Sequence, residues 1–249
     1  MKQNDFFTVI NSSGDFAVEF GYYTVGACGY LQAAVCDFKK KEKLISEQRA
    51  NPFSKSFGEK KSETCAFSLK KEGSEFRFLC DNKITFFHTA CKADVTVAAS
   101  KNGALKANGY IEIQGRRFEV DDTCTVLRGD YPAEFDGLTV SGSFGEAPFV
   151  LSCDNCKAEL SLNGKRYILP AFFETTGAKG YGNRIFTSRD GSVMLTVMPL
   201  FNDRLEKSAP LSSVHQNRFL CRAEGFVDFP GGKLEFENEF AVLNEGCKR

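Results

Sequence analysis

The sequence predicts an all-β protein made of two antiparallel β-barrel or sandwich halves in tandem. Apolar and polar residues alternate in short runs, and turn residues separate the runs every ~8–12 positions, the spacing of sandwiches and barrels rather than of helices. Twenty-five Phe and 22 Gly with no Trp agree with this. Aromatic side chains suit a pleated, half-buried surface, and glycine suits tight turns. A chain of 249 residues accommodates two halves of roughly 120 residues, each large enough to bury its own core. The predicted division gives an N-terminal half, 1–120, and a C-terminal half, 121–249.

The first half opens with the apolar run 6–10, turns at 11–14 and resumes at 15–20. Residues 25–38 form a long small-residue strand, where Gly26 and Gly29 mark a bend or a close backbone approach. Residues 39–43 are its solvent-facing hairpin turn, and 49–57, with Asn51-Pro52, a surface loop. Strands at 64–70, 76–80 and 84–89 follow, separated by the turn residues of 72–74 and by Asp81-Asn82. Alternation in the last of them places Ile84, Phe86 and His88 on one face. Residues 92–98 and 109–113 continue the meander, and Gln114-Gly115 reverses the chain. Residues 115–132 then leave a strand at Phe118 and Val120, turn at Asp121-Asp122, extend again through Val126-Leu127 and stop at Gly129 and Pro132. This stretch reads as the crossing between the two halves.

Strands at 138–144, 148–152, 158–162 and 167–170 begin the second half, with turns at Asp136-Gly137 and Asn163-Gly164. Residues 174–183 carry Gly177, Gly180 and Gly182, but lack the glycine spacing and the Lys-Ser/Thr of a phosphate-binding loop. They read as a mobile loop at a barrel mouth. A hairpin follows: 185–188, the turn Arg189-Asp190-Gly191, and 193–201, which is apolar on both faces and therefore central. The last hairpin joins 215–229 to 233–242 through 230–232. In its second strand Leu234, Phe236, Phe240 and Val242 alternate with Lys233, Glu235, Glu237 and Glu239.

Asn238 falls on that apolar face. On the preceding strand Phe219, Cys221, Ala223, Val227 and Phe229 share a face, and the same parity adds Asn217 and His215. An inward polar group left unpaired costs about 1–3 kcal/mol. These residues therefore either bond to neighbouring backbone near a barrel end or act as the polar handles of an apolar pocket. One bulge reverses the parity. His88 has the same two readings. With two His in the chain, acid–base chemistry is open, but a metal site built from several His is not.

Charge narrows the partners. Lys plus Arg and Asp plus Glu are both 32, so there is no excess positive potential and no nucleic-acid partner is expected. The short basic clusters around Lys39 and Lys60 are interrupted by Glu42 and Glu59 and read as solvated turns. No apolar run reaches the length of a membrane span, and the first residues lack the regions of a signal peptide, so the expected location is cytoplasmic. The ten cysteines are then free thiols. Cys28, Cys36, Cys65, Cys80, Cys91, Cys124 and Cys221 sit in apolar or alternating runs as small hydrophobes. Cys153-Asp154-Asn155-Cys156 has no second pair to complete a four-ligand zinc site. It reads as an inert turn, with zinc and a redox pair as alternatives. No cofactor is expected.

Thr187-Ser188-Arg189-Asp190-Gly191-Ser192, the apolar strand after it, Val214-His215-Gln216 and Phe226 to Leu234 resemble a bacterial family, the domain of unknown function 2804. Its members share a TSxDGxLxLxFxP run and a His-Gln before a long strand. The 29–38 strand and Arg128-Gly129-Asp130-Tyr131-Pro132 are similar to the same family. The chain departs from it in having no Trp, which points to a reshaped or lost ligand site if those aromatics line one in relatives. The family is similar in turn to the AttH and carotenoid-hydratase group, two lipocalin-like β barrels in tandem. The resemblance thus implies lipocalin-like halves and an elongated apolar pocket with Arg128, Asp130 and Tyr131 near the seam between them.

The leading expectation is a protein that holds an apolar or lipid-like small molecule, with His88, Arg128, Asp130, Tyr131, His215, Asn217 and Asn238 as its polar contacts. The alternative is a hydratase, isomerase or cyclase on a hydrophobic substrate. Asp121, Asp122, Asp130 or His215 would donate its proton if burial raised a carboxyl pKa, whereas Asp121-Asp122 also reads as a solvated turn pair. A third reading is a structural or partner-binding β protein with a filled interior. Acids deep in a closed cavity favour catalysis; acids on the rim favour binding.

Overall fold

The structure, a computed structural model, describes residues 5–25, 28–51, 62–63, 67–82, 91–99, 105–113, 115–129, 137–144, 147–153, 157–175, 182–209 and 212–248. Among these residues the chain is all-β: twenty strands and no helix, and none long and apolar enough to cross a membrane. Alternation is the reason. In residues 91–99, Cys91, Ala93, Val95 and Val97 are buried while Lys92 is exposed and Asp94 and Thr96 are half-exposed, because successive side chains point to opposite faces of the pleat.

The strands fall into two compact units, Met1–Tyr131 with Ala209–Leu211, and Pro132–Ser208 with Ser212–Arg249. In the first lie β1 (Asp5–Ile10), β2 (Phe16–Val25), β3 (Cys28–Asp37), β4 (Glu42–Asn51), β5 (Ser62–Glu63), β6 (Phe67–Glu72), β7 (Glu75–Asn82), β8 (Cys91–Ala99), β9 (Leu105–Ile113), β10 (Arg116–Val120) and β11 (Thr125–Gly129). They form two antiparallel sheets, β11-β1-β2-β3-β4 and β10-β9-β8-β7-β6-β5. One core joins the sheets. Phe7 meets Phe76 at 4.6 Å, Phe20 stacks on Phe78 at 5.0 Å and Phe16 meets Phe118 at 4.2 Å between ring centres, the face-to-face arrangement of a sandwich. The other face of the five-stranded sheet is buried as well, at Phe6, Ile10, Ala17, Tyr23 and Gln32. That double burial explains why residues 6–10 are apolar at every position but Thr8, whose hydroxyl donates to the buried Glu19 at 3.2 Å.

Three expectations change here. The strand expected over 25–38 is β3, and β2 itself runs on to Val25. Arg49, Ala50 and Asn51 finish β4 rather than opening a loop. Residues 115–132 do not cross between the halves at 120/121. β10 closes the six-stranded sheet against β9, the Asp121 turn reverses the chain through the Cys124 N–H to the Asp121 carbonyl at 3.0 Å, and β11 pairs with β1. The stretch links the two sheets of the first unit, whose division from the second falls after Tyr131. The strand expected at 84–89 lies outside the described residues.

In the second unit lie β12 (Gly137–Phe144), β13 (Ala147–Cys153), β14 (Ala158–Leu162), β15 (Lys165–Leu169), β16 (Phe172–Glu174), β17 (Arg184–Ser188), β18 (Val193–Ala209), β19 (Ser212–Phe229) and β20 (Gly232–Lys248). They make one nine-stranded antiparallel sheet, β15-β14-β13-β12-β20-β19-β18-β17-β16. The sheet curls on itself. Cys153 on β13 donates its thiol to the Phe172 carbonyl on the far edge strand β16 at 3.1 Å, and Tyr167 on β15 meets Phe229 on β19 at 4.7 Å. Gly225 marks a point where the backbone of β19 approaches β18 too closely for a side chain. Its φ is +126°, and a Cβ there would lie 2.1 Å from the Met194 carbonyl oxygen, so glycine is required.

The last hairpin contains the irregularity that decides where side chains point. Ala223 pairs with Glu239, but Gly225 pairs with Phe236. The surplus residue is absorbed at Asn238, with φ +64°, a conformation asparagine tolerates better than most residues. Leu234 and Phe236 face the core before this bulge, and Ala241 and Leu243 face it afterwards. Phe240 and Val242, expected on the same face as Leu234, lie on the other one.

Candidate functional site

The strand β19 keeps the expected parity. Phe219, Cys221, Ala223 and Val227 all belong to the core of the second unit. Following the same face outward, Asn217 is half-buried and His215 is exposed. His215 is therefore beyond the enclosed end of the sheet and is not an inward handle. Asn238 is exposed too, because the bulge turns it out; its backbone carbonyl accepts from Arg222 Nη1 at 2.8 Å. Arg128 is exposed on β11, opposite Phe7 in register, with its guanidinium 5.9 Å from the Phe7 ring centre. His88, Asp130 and Tyr131 lie outside the described residues. Of the expected contacts in the described residues, only Asn217 is half-buried.

Beside Asn217 are two residues that inspection of the sequence passed over. Glu245 is its partner in register on β20, and it faces inward because the bulge moved the inward positions to 241, 243 and 245. Arg184, the first residue of β17, forms an ion pair with it through Nη1. The Arg184 side chain is 7% exposed and that of Glu245 22%. The guanidinium lies 4.5 Å from the centre of the Phe219 ring, a cation–π contact. Its Nε is buried with no hydrogen-bond partner. A charge in such a place is costly unless its donors are filled. The local signal was present: in Arg184-Ile185-Phe186-Thr187-Ser188, burial alternates so that Arg184, Phe186 and Ser188 face in. Arg184 lies between the expected loop, 174–183, and the expected strand, 185–188, and it occupies a core position.

The interior beyond the pair is filled. Val140, Leu151, Leu160, Leu195, Val197, Cys221 and Leu243 have no accessible surface. Burial pushes the Cys221 thiol up to about 12, against smaller downward pulls from a backbone hydrogen bond at Leu243 and the charges of Arg218 and Arg184. A second set of buried polar side chains, Thr139, Asn244 and Arg218, stands abreast on β12, β20 and β19. Thr139 Oγ1 and Asn244 Oδ1 have no hydrogen-bond partner.

The acids considered for catalysis are not dry. Asp121 is exposed, and hydrogen bonds from the Thr123 hydroxyl and N–H hold its carboxyl below the usual carboxylate value. Asp122 is exposed and pairs with Lys106 at 3.1 Å. Among the described residues no three His, Cys, Asp or Glu side chains gather as metal ligands. Cys153 is buried with its thiol donating to the Phe172 carbonyl, and Cys156 lies outside the described residues. The 187–192 motif is a turn lock. Ser188 and Ser192 donate their hydroxyls to Asp190 Oδ1 at 2.7 and 2.8 Å, and the Val193 N–H donates to Ser188 Oγ at 2.8 Å.

No family model, curated protein or solved structure matches the chain. The residues at 187–192 do architectural work, since their hydrogen bonds hold a turn.

Proposed function

We propose that this protein binds a small amphipathic acid at the open end of the second unit's sheet, with Arg184 as the anchor for its carboxylate. The observation that carries this reading is the buried Nε of Arg184, a donor with no partner, set against Phe219 and beside Asn217. A guanidinium offers paired donors that fit a carboxylate edge-on. Glu245 pairs with one of its nitrogens, and a ligand carboxylate takes the Nε side or displaces Glu245. Because Phe219 and the side chains deeper in have almost no accessible surface, the ligand's apolar part stays outside the core, beside the half-buried Asn217. This favours a short tail over the long lipid-like cargo that the sequence suggests.

Catalysis has less support. Asp121 and Asp122 are exposed turn residues, and hydrogen bonds from Thr123 hold the Asp121 carboxyl below its usual value; neither lies in the dry pocket that a hydratase or cyclase needs. The curl of the second sheet supports a lipocalin-like reading of that unit as part of the proposal. The unbridged thiols of Cys91 and Cys221 support a reducing compartment such as the cytoplasm. A second reading, a partner-binding protein with a filled interior, is favoured by the absence of accessible surface on the core side chains named above.

Titration calorimetry with straight-chain carboxylic acids of two to twelve carbons decides between these readings. The proposal expects saturable binding that peaks at intermediate length and falls at least tenfold in Arg184→Gln. No binding across the series, or unchanged binding in that variant, rejects it.

A further inference from the structure

The outer face of the six-stranded sheet in the first unit carries a concave polar groove of about 330 Å³, at the small end of the volumes that hold small molecules. Strand register explains its layout. Lys70, Arg77, Thr96 and Asn108 stand abreast on β6, β7, β8 and β9. Asp94 and Tyr110 form the next row across β8 and β9. All six alternate with core residues and so point outward. Neighbouring strands lie about 4.8 Å apart, which makes the first row a straight ladder of polar groups at that spacing.

Several groups in the groove are held in place before any ligand arrives. Arg77 is clamped by Asp94 through Nε at 2.8 Å and Nη2 at 2.6 Å, an arrangement that leaves the Nη1 hydrogens for another partner. Arg117 lies over the Tyr110 ring at 4.1 Å and is itself fixed by Glu119 at 2.6 Å. At Gly109, with φ +130°, a Cβ would sit 1.8 Å from the Asp94 carbonyl oxygen. The close approach of β9 to β8 beneath the groove therefore requires glycine.

The chemistry of the lining selects the ligand. Lys70 and Arg77 are cationic, whereas Glu72, Glu75 and Asp94 are anionic. An anion meets the carboxylates and a cation meets the bases, and each suffers like-charge repulsion. A neutral polyhydroxylated molecule does not, because each hydroxyl donates to a carboxylate or amide oxygen and accepts from a guanidinium, ammonium or amide N–H. A chain of sugar rings repeats its hydroxyls at a distance of the same order as the strand spacing. We propose that this groove binds a neutral oligosaccharide laid across β6 to β9, with Arg77, Thr96 and Asn108 as its main hydrogen-bonding contacts. This site is independent of the Arg184 site and does not rest on it.

The test uses the full chain and neutral gluco-, xylo-, manno- and galacto-oligosaccharides of three to six rings, followed by calorimetry and by hydrogen exchange of residues 70–77, 94–96 and 108–110. At least one sugar is expected to bind and to protect those segments. Thr96→Val and Asn108→Ala, exposed or half-exposed positions whose thermal midpoints are expected to stay near that of the parent chain, should each weaken binding about tenfold. The proposal is overturned if no sugar binds at millimolar concentration, if binding survives in the double variant, or if inorganic phosphate or spermidine protects these segments more strongly than any sugar.

Discussion

Arg184 on β17 reaches Glu245 on β20 across the two strands that lie between them in the sheet. In a flat sheet such residues would be separated by about three strand spacings, roughly 14 Å. The contact therefore exists only because the nine-stranded sheet curls, and it places a formal ion pair where the alternation pattern otherwise supplies phenylalanine and leucine.

Removing one partner leaves the other charge poorly solvated. Glu245→Gln is expected to destabilise the chain by roughly 2–3 kcal/mol, below the ~3–5 kcal/mol typical of fully buried pairs because the Glu245 side chain keeps 22% exposure. The double change Arg184→Met with Glu245→Leu should recover most of that loss. Urea unfolding of the parent chain, Arg184→Met, Glu245→Leu and the double variant gives the cycle; additive single effects would show that the two residues are not coupled.

Asn238 owes its position to backbone conformation and not to a ligand. At φ +64°, Asn238→Gly should be neutral or slightly stabilising, whereas Asn238→Val should cost about 1–2 kcal/mol. Neither should alter binding of carboxylic acids. A change in affinity without a change in thermal midpoint would return Asn238 to the site.

Acid sensitivity follows from carboxyls held below their ordinary value. The Arg77 guanidinium lowers Asp94 from 3.8, and the Ser188 and Ser192 hydroxyls lower Asp190 from the same value. A group with a depressed folded pKa contributes stability that is present above its unfolded value and is lost as pH falls through the folded one. The thermal midpoint should therefore hold between pH 6 and about 4 and drop below that. In Asp94→Asn with Asp190→Asn the midpoint should be lower at pH 6, and the drop below pH 4 shallower. A drop that is unchanged in the double variant would place the acid sensitivity elsewhere.

Cys221 should resist thiol reagents. Its thiol is pushed up to about 12 by burial and donates to the Ala241 carbonyl at 3.1 Å, so the thiolate is scarce at neutral pH. Labelling with a chromogenic disulfide at pH 8, followed by peptide mapping, should find Cys221 modified only after denaturant is added. Rapid native labelling would mean that the sheet opens there.

The sequence by itself determined many of the strands of both units but not β4, β16 or the later part of β18, because a period of two is a local property that survives without knowledge of partners. Residues 91–97 and 219–227 alternate in the chain as they do in the structure. The sequence also offered a solvated turn as one of two readings of Asp121-Asp122, and the structure has both exposed in a turn. Tertiary structure alone decided which positions face in beyond Ala223. Whether one strand takes up an extra residue at Asn238 depends on its pairing with the neighbouring strand, and that single residue sent Asn238 and Phe240 off the core face and put Glu245 onto it. The pairing of β11 with β1, which keeps residues 125–129 in the first unit, and the curl that joins Arg184 to Glu245 are likewise properties of strands meeting far along the chain. No residue-by-residue pattern contains them, because their physical cause is the register and bend of whole sheets.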